Sequence, residues 1–103
     1  MIVIDFETYY DNEYSLSKRT MEEYIRSPLF QVIGVSIKKN DEDTIWYQAH
    51  AHDTSYLREV LMSYRLENEV VVAHNAAFDC AILNWVYGIK PMFIIDTLSM
   101  ARP

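Results

Sequence analysis

Two carboxylates lie two positions apart at the end of the first apolar run, Ile2-Val3-Ile4-Asp5-Phe6-Glu7-Thr8. Side chains alternate between the two faces of a strand, so Asp5 and Glu7 should point to the same side. Their apolar neighbours should pack into the sheet, namely Val3, Ile4 and Phe6. Two like charges this close raise a pKa unless a cation lies between them. Carboxylate oxygens are the ligands that Mg²⁺ and Mn²⁺ prefer, so the spacing favours a divalent metal site. The alternative is an exposed strand end with two solvated acids.

A second group of polar residues follows a short β-branched run and reads His74-Asn75-Ala76-Ala77-Phe78-Asp79. Asn75 and Asp79 are four positions apart, so they should share one face of the first helical turns, near the carboxyl end of the preceding strand. Open α/β sheets bind their ligands at that edge. The alternative interpretation makes Asn75 an N-cap and Asp79 an acid that the helix dipole favours.

The two motifs together resemble those of a known family of nucleases. Asp5-Phe6-Glu7-Thr8 is similar to the first motif, and residues 74–79 to the second, of the DnaQ-like (DEDD) 3'-5' exonucleases. The likeness is closest to the amino-terminal proofreading domain of bacteriophage family A, polymerase I type, DNA polymerases. Further similar stretches are residues 5–18, 23–25, 32–35 and 95–102, so the resemblance extends over the whole chain.

The resemblance implies a ribonuclease H-like α/β fold, a mixed five-stranded sheet flanked by helices, with Asp5 and Glu7 on the central strand. It also implies two Mg²⁺ or Mn²⁺ ions about 3.5 to 4 Å apart, which activate a water and stabilise the leaving 3' oxygen of the terminal phosphodiester of single-stranded DNA. Asp5 would bridge the ions. Glu7 would hold the first ion and contact the terminal 3' hydroxyl, and Asp79 would hold the second ion through water.

Substrate contacts follow from the same resemblance. Thr8 would touch the last nucleotide, while Asn75 and Phe78 would position the strand and pack against its end. A plain core position is an equal alternative for Phe78. The implied partners are the 3' end of single-stranded DNA and a polymerase domain or partner fragment, and the implied location is the cytoplasm of a bacterial host.

The chain departs from the family at the third motif, Tyr-x-x-x-Asp or His-x-x-x-x-Asp, which supplies a fourth carboxylate and the residue that orients the attacking water. Neither pattern follows Asp79. We therefore expect a domain truncated before that motif, with its C-terminal helix missing and weak activity in isolation. A catalytically inactive exonuclease-like module that binds nucleic acid or a polymerase is the alternative function. Asp96 could be imagined as a substitute acid, but Asp96-Thr97-Leu98 favours a helix cap.

Composition limits the remaining possibilities. The chain has 103 residues, half of them hydrophobic, which predicts a single, partial domain over residues 1–103. The net charge of -6 argues against a free-standing protein that binds nucleic acid through its phosphates, although metal ions could carry that contact. No apolar run approaches the ~20 residues of a membrane span.

Cys80 is the one cysteine of the sequence, which excludes an intramolecular disulfide, and it is interpreted as a core residue. His50 and His52 are assigned to a loop and not to a metal site.

Hydrophobic periodicity predicts the element order βαββαβαβα. The predicted strands are residues 1–6, 30–38, 44–48, 69–73 and 92–95, and the predicted helices are residues 20–27, 53–64, 76–87 and 96–100. Thr20 with Glu23 forms a capping-box pattern, and either Asp53 or Thr54 could cap the second helix. Without a closing helix, apolar strands should stay uncovered, so we expect a homodimer or a complex with a partner fragment.

Overall fold

The computed structural model describes residues 1–50 and 53–100. In chain order its elements are β1 (Ile2–Thr8), α1 (Met21–Arg26), β2 (Val32–Lys39), β3 (Ile45–Gln48), α2 (Ser55–Ser63), β4 (Val70–Ala73), α3 (Ala76–Ala81), β5 (Phe93–Asp96) and α4 (Thr97–Met100). This is the predicted order. His52 and Arg102, which entered the sequence analysis, lie outside the described residues.

The five strands form one mixed sheet in the order β3-β2-β1-β4-β5. β1 is the central strand, as predicted, and pairs antiparallel with β2 and parallel with β4. β3 pairs antiparallel with β2, which confirms the predicted hairpin, and β5 runs parallel to β4. The carboxyl ends of the three parallel strands therefore meet at one edge of the sheet. The predicted α/β class with an open five-stranded sheet and flanking helices is confirmed.

Alternation along β1 separates the core from a second, open face of the sheet. Ile2, Ile4 and Phe6 are buried, whereas Asp5 and Glu7 are exposed on the other side. The prediction that Val3 packs into the sheet is wrong, because its position in the alternation places it on the face of the acids, where it is 41% exposed. The core side is filled from the helices, chiefly by Tyr24, Leu57, Leu61, Ile82 and Leu83.

Two helix starts are determined by short-range hydrogen bonds. The capping box of α1 is present, since Glu23 N–H donates to Thr20 Oγ1 at 3.1 Å and Thr20 N–H donates back to Glu23 Oε1 at 3.3 Å. At α2, Ser55 N–H donates to Asp53 Oδ1 at 2.9 Å, and the Thr54 side chain makes no capping bond. Asp53 is therefore the residue that stabilises the start of α2.

The predicted helix over residues 76–87 is not uniform. It is α-helical over Ala76–Ala81 and then widens into a π-helical turn at Ile82–Val86. The helix ends at Gly88, whose φ of +70° suits a residue without a side chain. Ile89 N–H then donates to Leu83 O at 2.9 Å, which closes the last turn. A 3₁₀ turn at Leu66–Asn68, just before β4, was not predicted.

The helices of the described residues are short relative to a bilayer. None of those in residues 1–50 and 53–100 combines the length and apolar character that a membrane crossing requires.

Candidate functional site

Asp5 and Glu7 lie side by side on the open face of β1, as predicted. Across the antiparallel ladder, Asp5 is opposite Ser36 and Glu7 is opposite Gly34. Both acids are solvent-exposed. The ladder register shifts between Glu7 and Thr8, at the carboxyl end of the strand. Such irregularities re-aim the side chains beside them.

Asp79 is held against this strand by a hydrogen bond to its backbone. β4 is paired with β1 only at Ile2 and Val3, so the carboxyl half of β1 extends beyond that ladder. There, Phe6 N–H donates to Asp79 Oδ1 at an N···O distance of 3.1 Å. The carboxylate thus replaces the strand partner that a buried backbone donor requires. This bond joins the two sequence motifs, because Phe6 lies between Asp5 and Glu7.

The environment of Asp79 favours its protonated form. The side chain is only 3% exposed. Burial is the main cause that raises the pKa of Asp79 to about 7, and the negative charges of Asp5 and Asp96 raise it further, against the lowering effect of the Phe6 N–H. Near neutral pH the group is therefore divided between its two protonation states. A nearby cation would favour the carboxylate.

Asp96, at the end of β5, accepts two backbone hydrogen bonds. Its Oδ1 accepts from Leu98 N–H at 3.0 Å, which confirms the predicted cap at the start of α4, and from Asn75 N–H, also at 3.0 Å. Sequence reasoning missed the second bond, which connects the end of β5 to the turn after β4. It places a third acid within electrostatic reach of Asp79.

Asn75 does not act as a side-chain cap. Asn75 occupies the N-cap position of α3, as the alternative interpretation had it, but its side chain makes no capping hydrogen bond. Asn75 has φ +73° and ψ +61°, in the left-handed region, whereas a capping residue is usually extended. Asparagine tolerates this conformation better than most residues, and here it turns the chain from β4 into α3. Its predicted contact with the substrate stays a prediction.

Thr8 and Phe78 are both held by Tyr24. Thr8 Oγ1 and the Tyr24 hydroxyl are 2.9 Å apart and hydrogen-bonded. The Phe78 ring is tilted against Tyr24, with ring centroids 6.0 Å apart, and the residue is 8% exposed. Phe78 therefore occupies the core position considered as its alternative. Sequence reasoning missed Tyr24, because the spacing between Thr8 and Tyr24 follows no local period.

The oxygen ligands that the predicted acids offer at the carboxyl edge of the sheet suit a hard cation better than a soft one. The predicted ligands Asp5, Glu7 and Asp79 offer only carboxylate oxygens, which suit Mg²⁺ or Mn²⁺. Burial, and to a lesser degree the charges of Asp5 and Asp96, raise the pKa of Asp79, and a bound cation would lower it again. As placed, Asp79 interacts electrostatically with Asp5, and Glu7 lies further along the same face. Within residues 1–50 and 53–100, no three His, Cys, Asp or Glu side chains are gathered closely enough to hold a metal ion.

Cys80 and His50 are the other candidate side chains, and both lie in surroundings typical of structural residues. Burial raises the pKa of the Cys80 thiol to about 11, so the thiol stays protonated at neutral pH. His50 is stacked on Tyr56 with ring centroids 4.1 Å apart. His50 also borders a cavity of about 220 Å³, whose described lining includes Phe30, Asp53 and Tyr87 but none of the three predicted acids.

No model of a protein family matches this chain, and no curated protein matches it either.

Proposed function

We propose that this chain is a 3'-5' exonuclease domain, or part of one, that hydrolyses the 3'-terminal phosphodiester of single-stranded DNA with two bound metal ions. The observation that supports the proposal best is the hydrogen bond from Phe6 N–H to Asp79 Oδ1. It fixes the acid of the second motif to the backbone of the residue that lies between the two acids of the first. A ribonuclease H-like assignment of the fold is part of the same proposal.

Each acid has a distinct role in this proposal. Asp5 and Asp79 would hold the cations, because the charge of Asp5 acts on Asp79, and Glu7 would complete the set from the next outward-facing position of β1. Mg²⁺ or Mn²⁺, when bound, lowers the pKa of the attacking water and stabilises the leaving oxygen. The backbone of Phe6 keeps Asp79 in place.

The residues beyond the acids bind and orient the DNA. Thr8 follows the acid pair directly, and its hydroxyl is fixed by Tyr24, so it is positioned to contact the terminal nucleotide. Asn75 turns the chain at the end of β4, beside Asp96. The net charge of -6 is unfavourable for binding a polyanion, so a polymerase domain or partner fragment is proposed to deliver the strand.

One feature of the sequence favours a second candidate function, a non-catalytic module that binds nucleic acid or a polymerase. Neither Tyr-x-x-x-Asp nor His-x-x-x-x-Asp follows Asp79 in the 103 residues. A missing ligand and water-orienting residue commonly cost several orders of magnitude in rate, because such catalysis depends on positioning.

A single-turnover nuclease assay tests the proposal. The protein is incubated in excess over a single-stranded oligonucleotide with Mn²⁺, and the label is placed at the 5' end in one sample and at the 3' end in another. We expect very slow shortening from the 3' end, or none, and any shortening should disappear in Asp5→Ala. Asp41→Ala, an acid of the exposed β2–β3 turn, is the matched control and should behave like the wild type.

The outcomes separate the two candidates. Slow trimming that depends on Asp5 supports the exonuclease. Binding of the oligonucleotide without any trimming favours the non-catalytic module. Rapid trimming by this chain alone would show that the site is more complete than the sequence indicates, with Asp96 the first residue to reconsider. Trimming that persists unchanged in Asp5→Ala would contradict the proposed site.

A further inference from the structure

Trp46 lies across the backbone of Gly34 on the open face of the sheet. A Cβ built on Gly34 would be 2.4 Å from Cζ2 and 2.5 Å from Cη2 of the Trp46 ring, closer than real atoms approach. The Tyr47 carbonyl oxygen would be only 2.7 Å away as well, so only glycine fits beneath the indole and beside the backbone of β3. Glycine in a strand weakens it, and the close approach of the Trp46 ring and of the Tyr47 carbonyl explains why β2 has glycine at this position.

The indole lies next to the predicted acids. Gly34 is directly opposite Glu7 in the β1–β2 ladder. Ser36, the partner of Trp46 on β3, is directly opposite Asp5. Residues paired in this way share one face of a sheet, with neighbouring Cβ atoms about 5 Å apart. The ring thus covers the strand position adjacent to Glu7.

The Trp46 indole covers Gly34 on one side, and part of the ring stays exposed to solvent. Covering a strand glycine with an aromatic ring from the neighbouring strand is a known way to stabilise a sheet. Yet Trp46 remains 45% exposed, on a face that it shares with two acids. Lys38 lies on the same face, two residues beyond Ser36, and adds a positive charge. An exposed ring, a base and a carboxylate pair are therefore neighbours.

We propose that Trp46 is a stacking platform for a nucleobase of the strand whose 3' end is held at Asp5 and Glu7. The inference rests on the proposed function and adds to it the contact that holds a base. Stacking tolerates any sequence, because every base presents a π face. The site should therefore bind single strands with little base preference and should require the bases themselves. The other tryptophan, Trp85, has Arg26 over its ring at 4.8 Å and is the natural control.

Tryptophan fluorescence tests the inference. In Trp85→Phe, Trp46 is the one remaining tryptophan of the two in the sequence. This protein is titrated with an eight-nucleotide single strand and, separately, with an abasic strand of equal length that keeps every phosphate but has no bases. We expect quenching by the first strand and little by the second. Trp46→Leu, which still covers Gly34 with an apolar side chain, lacks the reporter, so its affinity is measured by the anisotropy of a fluorescently labelled strand and should be about 10-fold weaker. Trp46→Phe should retain most of the affinity.

Mn²⁺ binding by the wild type and by Asp5→Ala, measured in parallel, distinguishes failure of the inference from failure of the function. Equal quenching by both strands, or unchanged affinity in Trp46→Leu, would overturn the stacking role. If Asp5-dependent Mn²⁺ binding persists in that case, the proposed metal site still stands. If Asp5-dependent Mn²⁺ binding is absent as well, the proposed function fails with the inference. A Trp46 emission that changes with protein concentration alone and not with DNA would show that a second copy of the chain covers the ring, and it would also overturn the inference.

Discussion

At the residue scale, Asp79 combines two properties that are usually separate. Its carboxyl group is buried and supports the backbone of β1, yet its pKa of about 7 shows that the charged form is disfavoured in the folded chain. The sequence could predict that Asp79 lies near Asp5, because Asp5 lies in the carboxyl half of one strand and Asp79 follows the carboxyl end of another. It could not predict the bond to Phe6 N–H, because that bond depends on where the β1–β4 ladder ends.

The pKa of Asp79 predicts how stability depends on pH. Between about pH 4 and pH 7 the folded state holds a proton that the unfolded state has already released, since the pKa rises from its ordinary value of 3.8 to about 7. The free energy of unfolding should therefore fall as pH rises through this range and level off above it. Asp79→Asn keeps an oxygen acceptor for Phe6 and carries no charge. It should be more stable than the wild type at pH 8 by about 2 kcal/mol.

Urea denaturation at pH 5 and pH 8 measures this effect. The difference between wild type and Asp79→Asn should be clearly smaller at pH 5 than at pH 8. Asp41→Asn, on the exposed turn, should show no such difference at either pH. A variant Asp79→Asn that is less stable than the wild type at pH 8 would contradict the assigned pKa. The same variant should lose metal binding. Asp79 is therefore expected to lower the stability of the metal-free protein while contributing a ligand to the metal site.

At the element scale, the sequence predicted the kinds and order of the strands and helices well, because their periodicity and caps are local. The π-helical turn at Ile82–Val86 and the 3₁₀ turn at Leu66–Asn68 were not predictable in this way. Val3 shows the limit most clearly. Its neighbours Ile2 and Ile4 are also apolar, and a local sequence pattern cannot reveal whether the second face of the sheet is covered.

The capping box of α1 provides a test with a built-in control. Thr20→Ala removes the acceptor of the Glu23 N–H and should destabilise the protein by about 1 kcal/mol. Thr54 occupies the corresponding position of α2 but makes no side-chain capping bond, so Thr54→Ala should leave stability nearly unchanged. Thermal or urea unfolding of both variants gives the comparison. Equal losses in the two would mean that the bonds at Thr20 do not stabilise α1.

At the scale of the whole molecule, apolar surface remains exposed at the β5 side of the sheet. β5 is an edge strand, and Phe93 is 60% exposed, with Met92 and Ile94 exposed beside it. Exposed edges and apolar patches commonly mark interfaces. The prediction of a dimer, or of a complex with a partner fragment, is consistent with this surface and stays a prediction.

Sedimentation at micromolar concentration tests the association. We expect a dimer that Phe93→Lys converts to monomer, because the change places a charge in the exposed patch. Met62→Lys alters an equally exposed apolar residue on α2 and should leave the dimer intact. A wild type that stays monomeric and binds no dye specific for apolar surfaces would show that the sheet needs no partner.

We propose that Asp5, Glu7 and Asp79 form one site for Mg²⁺ or Mn²⁺, and paramagnetic broadening by Mn²⁺ in NMR spectra tests this site most directly. We predict weak binding that broadens the backbone amides of Phe6 and Asp79 first in the wild type and in the control Asp41→Ala. Asp5→Ala should abolish this selective broadening. Identical broadening in the wild type and in Asp5→Ala, or broadening centred elsewhere in the chain, would contradict the account.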